Sequence, residues 1–423
     1  MIGRRVPPAH APVRPLAWLP SGRGRPRPRL AARLRTRLDA EEVILVGSGT
    51  VALRLAVRAA FRLGPGKPGP GSTGAGMVAM PAFTCYDVAA AVLAETPRVT
   101  CFDVDPATLA PDPSSLARVL EAGADVLIVS PLYGVPIPWE PVEAAAAAAG
   151  AVLIEDAAQG HGASWRGRPV GGLGVLSVVS FGRGKGWTGG GGGAVLARAG
   201  AGDALRSLAR DIDDASLARG ALVTLGALAQ WSFGRPALYG VPAAFPWSGL
   251  GETIYRVAPD PASMPESAAR IALASEESAD REAAVRRRRG AWFRRRLDPG
   301  IVPQSPPDGV AGELRLPVRV SVGPRGLGPE ALRLGVSPSY PATLPSLPAV
   351  LPALAGPERS WPGADLLARE LVTLPTHSLL TRHDADGLLR WIDRAGAVSA
   401  PNPEANRRAI DGTRVAKPRR GDH

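Results

Sequence analysis

Lys185 stands out chemically in this sequence because lysine is nearly absent from it. Only three of the 50 basic residues in the 423-residue chain are lysines, and the others are arginines. Arginine keeps its proton at any ordinary pH and cannot act as an amine nucleophile. Lys67 lies in a Gly/Pro-rich loop and Lys417 in a polar stretch, whereas Lys185 follows an apolar run and precedes five glycines. This position predicts a lysine amine that reacts with a bound ligand.

Three other segments carry polar groups at the ends of apolar runs. Residues 47–50 (GSGT) precede a helical pattern, so their backbone N–H groups and the Thr50 hydroxyl predict an anion site. Asp156 directly follows the run VLIE, with Gln159 and His161 close behind it. This carboxylate either caps a helix or pairs with a cationic ring nitrogen. Ser180 adds a hydroxyl five residues before the lysine.

Together these groups require a ligand with a phosphate, a cationic ring nitrogen and a carbonyl that captures an amine. Pyridoxal 5'-phosphate (PLP) has all three. The lysine would form a Schiff base with its aldehyde, and the aspartate would keep the pyridine nitrogen protonated. The residues therefore predict a PLP site, and they predict no metal site.

The elements that must position these groups alternate between apolar runs and helical patterns from about residue 41 to residue 197. Strands that are apolar throughout and separated by helices predict an α/β fold with a mostly parallel sheet between helices. Ligands then bind at the carboxyl ends of the strands. The segment 220–234 is apolar but too short to span a bilayer, and we interpret it as a buried helix or a flap over the substrate.

The chain divides by composition into four parts. We predict a basic, extended Arg/Pro-rich arm (1–40), a large PLP-binding domain (41–250), a small C-terminal α+β domain (251–398) and a polar tail (399–423). Segments so rich in charge and proline usually do not order themselves. We therefore expect the residues before Pro15 and the residues from 401 onward to be solvated and dispensable for catalysis.

Five segments in order resemble the DegT/DnrJ/StrS family of sugar aminotransferases, which are PLP enzymes of fold type I. The segments are GSGTVAL (47–53), MPAFTCYDVAAAV (80–92), PLYGVP (131–136), EDAAQGHGA (155–163) and SFGRGKGWTGGGGGAV (180–195). The resemblance implies a large domain with a mostly parallel sheet, followed by a small C-terminal domain.

The resemblance also implies a role for each matching position. Lys185 would carry the cofactor and move protons, Asp156 would pair with the pyridine nitrogen, and Gln159 would bond the phenolic oxygen. The phosphate would be held by Gly49, Thr50 and Ser180. His161 matches a family position, and we place it next to the cofactor ligands.

The sequence departs from the family pattern at several of these segments. Cys85 occupies the position of the aromatic residue that usually stacks on the PLP ring, and Tyr86 beside it is the predicted substitute. Gly186 and Gly191 replace a common asparagine and a usual glutamate. The family segment that donates an asparagine across the dimer is not recognisable.

The resemblance implies an aminotransferase that moves an amino group, from glutamate, to a nucleotide-linked keto sugar in a homodimer. The alternative is a PLP-binding regulatory or non-transaminating member of the same family. Dehydration of a sugar is disfavoured, because family members of that type replace the lysine with histidine.

Charge and composition exclude other classes of protein. The net charge of +12 lies entirely in residues 1–40 and 401–423, so the body of the chain is neutral and predicts no nucleic-acid partner. Two cysteines are too few for a disulfide framework, which predicts a cytoplasmic protein. No apolar run reaches the length of a transmembrane helix, so no membrane span is predicted.

Overall fold

The computed structural model describes residues 3–14, 24–64, 76–244 and 253–396. Its α-helices are α1 (Pro26–Leu38), α2 (Gly49–Leu63), α3 (Tyr86–Leu93), α4 (Pro113–Glu121), α5 (Trp139–Ala148), α6 (Gly202–Ala209), α7 (Leu217–Phe233), α8 (Pro236–Ala243), α9 (Glu266–Arg294), α10 (Pro329–Arg333), α11 (Pro362–Glu370) and α12 (Arg382–Ala395). Its strands are β1 (Glu42–Val46), β2 (Val78–Pro81), β3 (Val99–Phe102), β4 (Val126–Val129), β5 (Val152–Asp156), β6 (Ser164–Trp165), β7 (Arg168–Pro169), β8 (Leu176–Ser180), β9 (Gly193–Ala197), β10 (Gly309–Val310), β11 (Leu316–Arg319), β12 (Ser337–Pro338) and β13 (Leu371–Leu374).

The large domain is built on a seven-stranded sheet in the order β1-β9-β8-β5-β4-β2-β3. Strands β3, β2, β4, β5 and β8 pair in parallel, while β9 runs antiparallel to both of its neighbours. This arrangement confirms the predicted α/β class with a mostly parallel sheet.

Helices cover both faces of that sheet, which explains why its central strands are apolar throughout. In β4, Val126 and Ile128 pack into the cluster that contains α2 and α3. Leu127 and Val129 pack into the opposite cluster with α4 and α5. Alternate side chains point to opposite faces of a strand, so every position of β4 is buried.

The C-terminal region, which we name the small domain, holds the three-stranded sheet β11-β13-β12, α10 and α12, whereas Ala364 and Leu367 of α11 pack into the core cluster of the seven-stranded sheet. Its core contains residues of β11 and β13, the end of α9 and the apolar face of α12. The 29-residue helix α9 connects it to the large domain. Helix α12 begins with a capping box, in which Thr381 and Asp384 satisfy each other's backbone N–H groups.

The prediction of an extended arm over residues 1–40 is wrong for residues 26–38, which form α1. Leu30, Leu34 and Leu38 recur every four residues and are buried in one core cluster with part of α9. Two arginines of α1 pair with acids of α9: Arg33 lies 2.9 Å from Glu276, and Arg37 lies 2.6 Å from Asp280. The many arginines concealed this apolar stripe, because they dominate the composition but occupy the other faces of the helix.

The expectation of a solvated segment before Pro15 is also wrong. We name residues 3–14 the N-terminal strap. Val6 is fully buried in the core of the small domain, and its N–H donates to the Arg333 carbonyl at 2.9 Å. Arg4 forms a two-pronged ion pair with Asp384, with both N–O distances at 2.6 Å. The predicted polar tail at 399–423 lies outside the described residues.

Helix α7 covers the predicted apolar segment and is mostly exposed, so of the two predicted interpretations the buried helix is wrong and the flap over the substrate stays a prediction. Only Val223 and Ala227 of α7 are buried, and they pack into the cluster that contains part of α9. Leu217 is 93% exposed. Across the described ranges, no helix is both long enough and apolar enough to cross a membrane.

Candidate active site

A cavity of about 330 Å³ lies at the carboxyl ends of β4, β5 and β8, beside the N-terminus of α2. Six of the eight predicted site residues line it: Gly49, Thr50, Asp156, Gln159, Ser180 and Lys185. This is the edge of a parallel sheet where ligands are expected to bind.

The first wall of the cavity is the start of α2. The Ser48 side chain caps this helix by accepting a hydrogen bond from the Val51 N–H at 3.2 Å. Gly49 lies so close to β8 that a Cβ there would be 2.9 Å from Ser180 Oγ. The close approach brings the helix N-terminus and the Thr50 and Ser180 hydroxyls to one cavity. A helix N-terminus with two hydroxyls favours an anion such as phosphate.

Two adjacent carboxylates at the end of β5 have different surroundings. Glu155 is fully buried and accepts hydrogen bonds from the N–H groups of Gly171, Leu173 and Gly174 and from the Ser177 hydroxyl. Asp156 lines the cavity instead. Because neighbouring side chains of a strand point to opposite faces, one carboxylate braces the fold and the next meets a ligand.

The Asp156 carboxylate is held in a fixed orientation. Its Oδ1 accepts a hydrogen bond from the Ala158 N–H at 3.2 Å, and its Oδ2 accepts one from the Ser130 hydroxyl at 3.3 Å. Burial raises the pKa of Asp156, while the nearby Lys185 charge and these two hydrogen bonds oppose the rise. A carboxylate that is partly buried in this way gains from a cationic partner in the cavity.

Lys185 lies in the loop between β8 and β9 and lines the same cavity as Asp156. Gly184 in this loop has a φ of 76°, in the left-handed region that favours glycine, and the Lys185 N–H donates to the Gly182 carbonyl at 3.3 Å. The turn directs the lysine into the cavity.

Gln159 is buried, and its amide group is fixed from both sides. Its Oε1 accepts from the Tyr133 N–H at 2.8 Å, and its Nε2 donates to the Tyr340 hydroxyl at 2.8 Å. An amide nitrogen carries two hydrogens, so one remains for a ligand in the cavity.

Tyr86 does not line the cavity. Its hydroxyl donates to the Ala342 carbonyl at 3.1 Å and accepts from the Ala342 N–H at 3.0 Å, so the ring is committed to a loop of the small domain. The cavity wall at this point is Cys85, whose thiol pKa is raised by burial to about 12. The structure therefore does not place Tyr86 where a stacking aromatic residue would be needed.

His161 lies outside this cavity as well. Its Nε2 is 3.4 Å from Asp280 Oδ1 of α9, and its ring packs against Trp187 with centroids 5.8 Å apart. Burial lowers the pKa of His161, and Asp280 opposes this effect. A Cβ at Gly186 would lie 2.7 Å from the His161 Cβ, which explains the glycine next to the lysine.

Five polar residues of the cavity were not predicted from the sequence: Thr84, Asp87, Ser130, Arg183 and Arg219. The Thr84 hydroxyl is buried and has no hydrogen-bond partner among the described residues. Ser130 directly follows β4, so the rule that located Asp156 after β5 could have located it too.

The cavity fits PLP. It combines a helix N-terminus with hydroxyls for the phosphate, a fixed carboxylate for the ring nitrogen, an amide N–H for the phenolic oxygen and an amine for the aldehyde. The unpartnered Thr84 hydroxyl supports a polar ligand there, because buried polar groups are normally hydrogen-bonded. The described ranges hold no cluster of His, Cys, Asp or Glu that could bind a metal.

Comparison with known proteins identifies similar chains. Residues 17–212 match the sequence model of the DegT/DnrJ/EryC1/StrS aminotransferase family. The 3-amino-5-hydroxybenzoate synthase of Amycolatopsis mediterranei is 29% identical over 157 residues, which are 37% of this chain and 38% of that protein. The L-glutamine:2-deoxy-scyllo-inosose aminotransferase of Streptomyces paromomycinus is 32% identical over 167 residues, covering 37% and 35%. The chain thus spans less than two-fifths of each of these relatives.

The fold is similar over a much greater length. The sugar aminotransferase CalS13 from Micromonospora echinospora superposes with a TM-score of 0.65 at 24% identity, covering 92% of this chain and 99% of that one. This likeness confirms the predicted type I fold.

Proposed function

We propose that this chain is a PLP-dependent aminotransferase, because residues 17–212 match the sequence model of the DegT/DnrJ/EryC1/StrS aminotransferase family. The observation that carries the proposal is one cavity lined by both the Lys185 amine and the Asp156 carboxylate, beside the N-terminus of α2. The family itself is PLP-dependent.

When bound, PLP supplies an aldehyde and an electron-withdrawing ring. Gly49, Thr50 and Ser180 would hold its phosphate, and the second Gln159 N–H would bond its phenolic oxygen. Asp156, oriented by Ser130, keeps a negative charge beside the ring nitrogen.

Lys185 has the second task of moving a proton. Its Nζ would take the proton from the α-carbon of the amino donor and deliver it to the cofactor, and it would move a proton in the opposite direction when the acceptor is aminated. The amine must be neutral to accept a proton. Position is therefore the main contribution of the Lys185 loop, because a base acts only within hydrogen-bond reach of the proton.

We propose that the acceptor is a nucleotide-linked keto sugar and that the donor is glutamate. The names of similar proteins support a sugar or a polyol ketone as the acceptor class: CalS13 is a sugar aminotransferase, and the Streptomyces relative acts on 2-deoxy-scyllo-inosose with L-glutamine.

We also propose a cytoplasmic homodimer. Helix α7 presents Leu217, Leu222 and Leu225 to solvent, each more than 60% exposed. A row of exposed leucines on one helix supports coverage by a second copy. Both cysteines are free thiols, which supports a reducing compartment. Light scattering on the purified protein and on a Leu222→Lys, Leu225→Lys variant tests the dimer, which these charges should weaken.

The central test is a spectrum of the purified protein after addition of PLP. We expect a visible absorbance from the lysine-linked cofactor, and we expect L-glutamate or L-glutamine to remove it. A keto-acid product should appear in equal amount. A protein that binds PLP but whose spectrum responds to no amino donor would instead support the regulatory alternative.

A further inference from the structure

A second and larger cavity, of about 570 Å³, adjoins the first one and shares Lys185, Gln159 and Arg183 with it. Its walls come from three separate parts of the chain. They are Pro7–Ala11 of the N-terminal strap, the end of α7 with α8, and the segment that leads into β11. A ligand in this cavity would lie directly against the reactive amine.

The strap is a fixed wall of this cavity. The Pro7 carbonyl lies 2.7 Å from Nε2 of the buried His377, and the Ala11 carbonyl accepts from Gln230 Nε2 at 3.0 Å. His377 belongs to the small domain, whereas Gln230 is on α7. The strap thus joins two parts of the molecule across the cavity.

Two arginines line this cavity, and neither forms an ion pair among the described residues: Arg183 is exposed, whereas Arg315 is half-buried. The Nε of Arg315 is buried with no partner among the described residues, and no carboxylate in those ranges forms an ion pair with it. Two nearby arginines are paired: Arg294 lies 2.8 Å from Glu313, and Arg319 lies 3.5 Å from Glu370. A half-buried cation that lines the same cavity as a reactive amine gains from a ligand that supplies an anion.

The guanidinium of Arg315 is also fixed in position. It stacks on the ring of Tyr133, with 5.2 Å between the guanidinium carbon and the ring centroid. Tyr133 is buried, its hydroxyl bonds Ser339, and its N–H donates to Gln159. Since Gln159 lines both cavities, one chain of contacts sets Arg315 relative to the cofactor site.

The structure assigns this second cavity as the substrate pocket of the proposed aminotransferase, with Arg315 as the anchor for an anionic group of the substrate. A planar guanidinium binds a carboxylate or a phosphate through two parallel hydrogen bonds. The anion belongs either to the donor, as a carboxylate, or to the acceptor, as a nucleotide phosphate. Pro7, Pro8 and Phe233 give the cavity an apolar wall for the rest of the substrate. The assignment rests on the proposed function.

The test compares Arg315→Gln and Arg315→Lys with Arg296→Gln in the PLP-loaded protein. Arg296 is a matched control, because it also stacks on an aromatic ring, 4.1 Å above Trp292, but is exposed and lines neither cavity. Succinate serves as the carboxylate probe and pyrophosphate as the phosphate probe. Each probe is titrated by thermal stabilisation, and glutamate is titrated by the decay of the visible absorbance.

We expect Arg315→Gln to weaken binding of one probe about ten- to hundred-fold, the loss typical of a hydrogen bond to a charged group. Arg315→Lys should lose less, and Arg296→Gln should lose nothing. Loss of succinate and glutamate binding assigns the anchor to the donor, and loss of pyrophosphate binding assigns it to the acceptor. If both probes bind all three variants equally, the anchor assignment is wrong.

A second variant tests the pocket without removing a charge. Ala9→Phe narrows the cavity from the strap side, so it should raise the KM for the acceptor while Lys185 still links PLP. Arg14→Ala, on the same strap but outside the cavity, is its control. An unchanged acceptor KM in Ala9→Phe would overturn the pocket assignment. Wild-type protein without visible absorbance would overturn the proposed function instead, and the same thermal titrations on the protein without PLP would still report on Arg315.

Discussion

The 330 Å³ cavity, which we name the cofactor cavity, and the 570 Å³ substrate pocket share Lys185. They are assembled from different kinds of chain segments. The cofactor cavity takes Thr84, Ser130, Asp156 and Ser180 from the loops or ends of strands in one parallel sheet. The substrate pocket takes its wall residues from the N-terminal strap, from α7 and α8, and from the small domain. The strap and the small-domain wall are more than 200 residues apart in the sequence.

This difference determines which site a sequence reveals. Strand ends of a parallel sheet converge by construction, so a polar residue after an apolar run is already a site candidate. No such rule brings Pro7 or Arg315 to Lys185. Their positions depend on how separate segments pack. Variants in the cofactor cavity, in the strap and in the contact between strap and small domain therefore test this difference.

Replacement of Lys185 by alanine should abolish both the covalent link to PLP and turnover, because Lys185 lines both cavities. No other lysine lies in the described residues, and no arginine can act as an amine nucleophile. We expect loss of the visible absorbance of linked PLP and a fall in turnover of at least about 10³-fold. The thermal unfolding midpoint should stay close to that of the wild type. A variant with full activity would remove Lys185 from the mechanism.

The two adjacent carboxylates of β5 offer a matched pair. Asp156→Asn removes the charge beside the ring nitrogen, so turnover should fall by about 10²-fold or more while the protein stays folded. Glu155→Gln leaves buried N–H groups poorly satisfied, so it should cost about 1–3 kcal/mol of unfolding free energy. Steady-state rates and urea unfolding on both variants separate these effects. If Asp156→Asn has the kinetics of the wild type, the Asp156 carboxylate has no role in turnover and serves only as a structural cap.

Deletion of residues 1–11 should alter the substrate pocket more than the cofactor cavity. The deletion exposes the site of Val6, whose burial alone is worth about 2 kcal/mol, and it removes the Arg4–Asp384 pair. We expect a fall of several degrees in the unfolding midpoint and a higher acceptor KM, with PLP still linked. The control deletion of residues 401–423 should change neither quantity. Unchanged kinetics after the strap deletion would restore the solvated-arm interpretation.

The smallest expected effect is a pH dependence of the strap. Burial lowers the pKa of His377 from 6.5 to about 3; the hydrogen bond with the Pro7 carbonyl opposes this effect, and His10, Arg289 and Arg286 add to it. The unfolded chain therefore binds a proton as the pH falls below about 6.5, whereas folded His377 stays neutral. Stability from His377 is full above that pH and declines below it.

This effect is measured as the unfolding midpoint of the PLP-loaded protein from pH 8 to pH 5. His377→Gln keeps a donor for the Pro7 carbonyl but cannot titrate. We expect this variant to lose less stability than the wild type between pH 6.5 and pH 5. Parallel curves for the two proteins would show that His377 does not control strap docking.

The sequence determined the α/β class and most of the cofactor cavity. Apolar strands separated by helices require a covered parallel sheet, and such a sheet collects Thr50, Asp156, Ser180 and Lys185 at one edge. The sequence also singles out Lys185, because only three of the 50 basic residues are lysines. These features depend on residues near each other in the chain, so they can be derived without the fold.

Only the tertiary structure decided the rest. It turned Tyr86 toward Ala342 and His161 toward Asp280, although both follow the same motifs as true cavity residues. It also converted an arginine-rich arm into α1 and a docked strap, because Leu30, Leu34 and Val6 found apolar partners far away in sequence. Packing across long separations fixes such positions, since burial free energy depends on the partner surface and not on the segment alone.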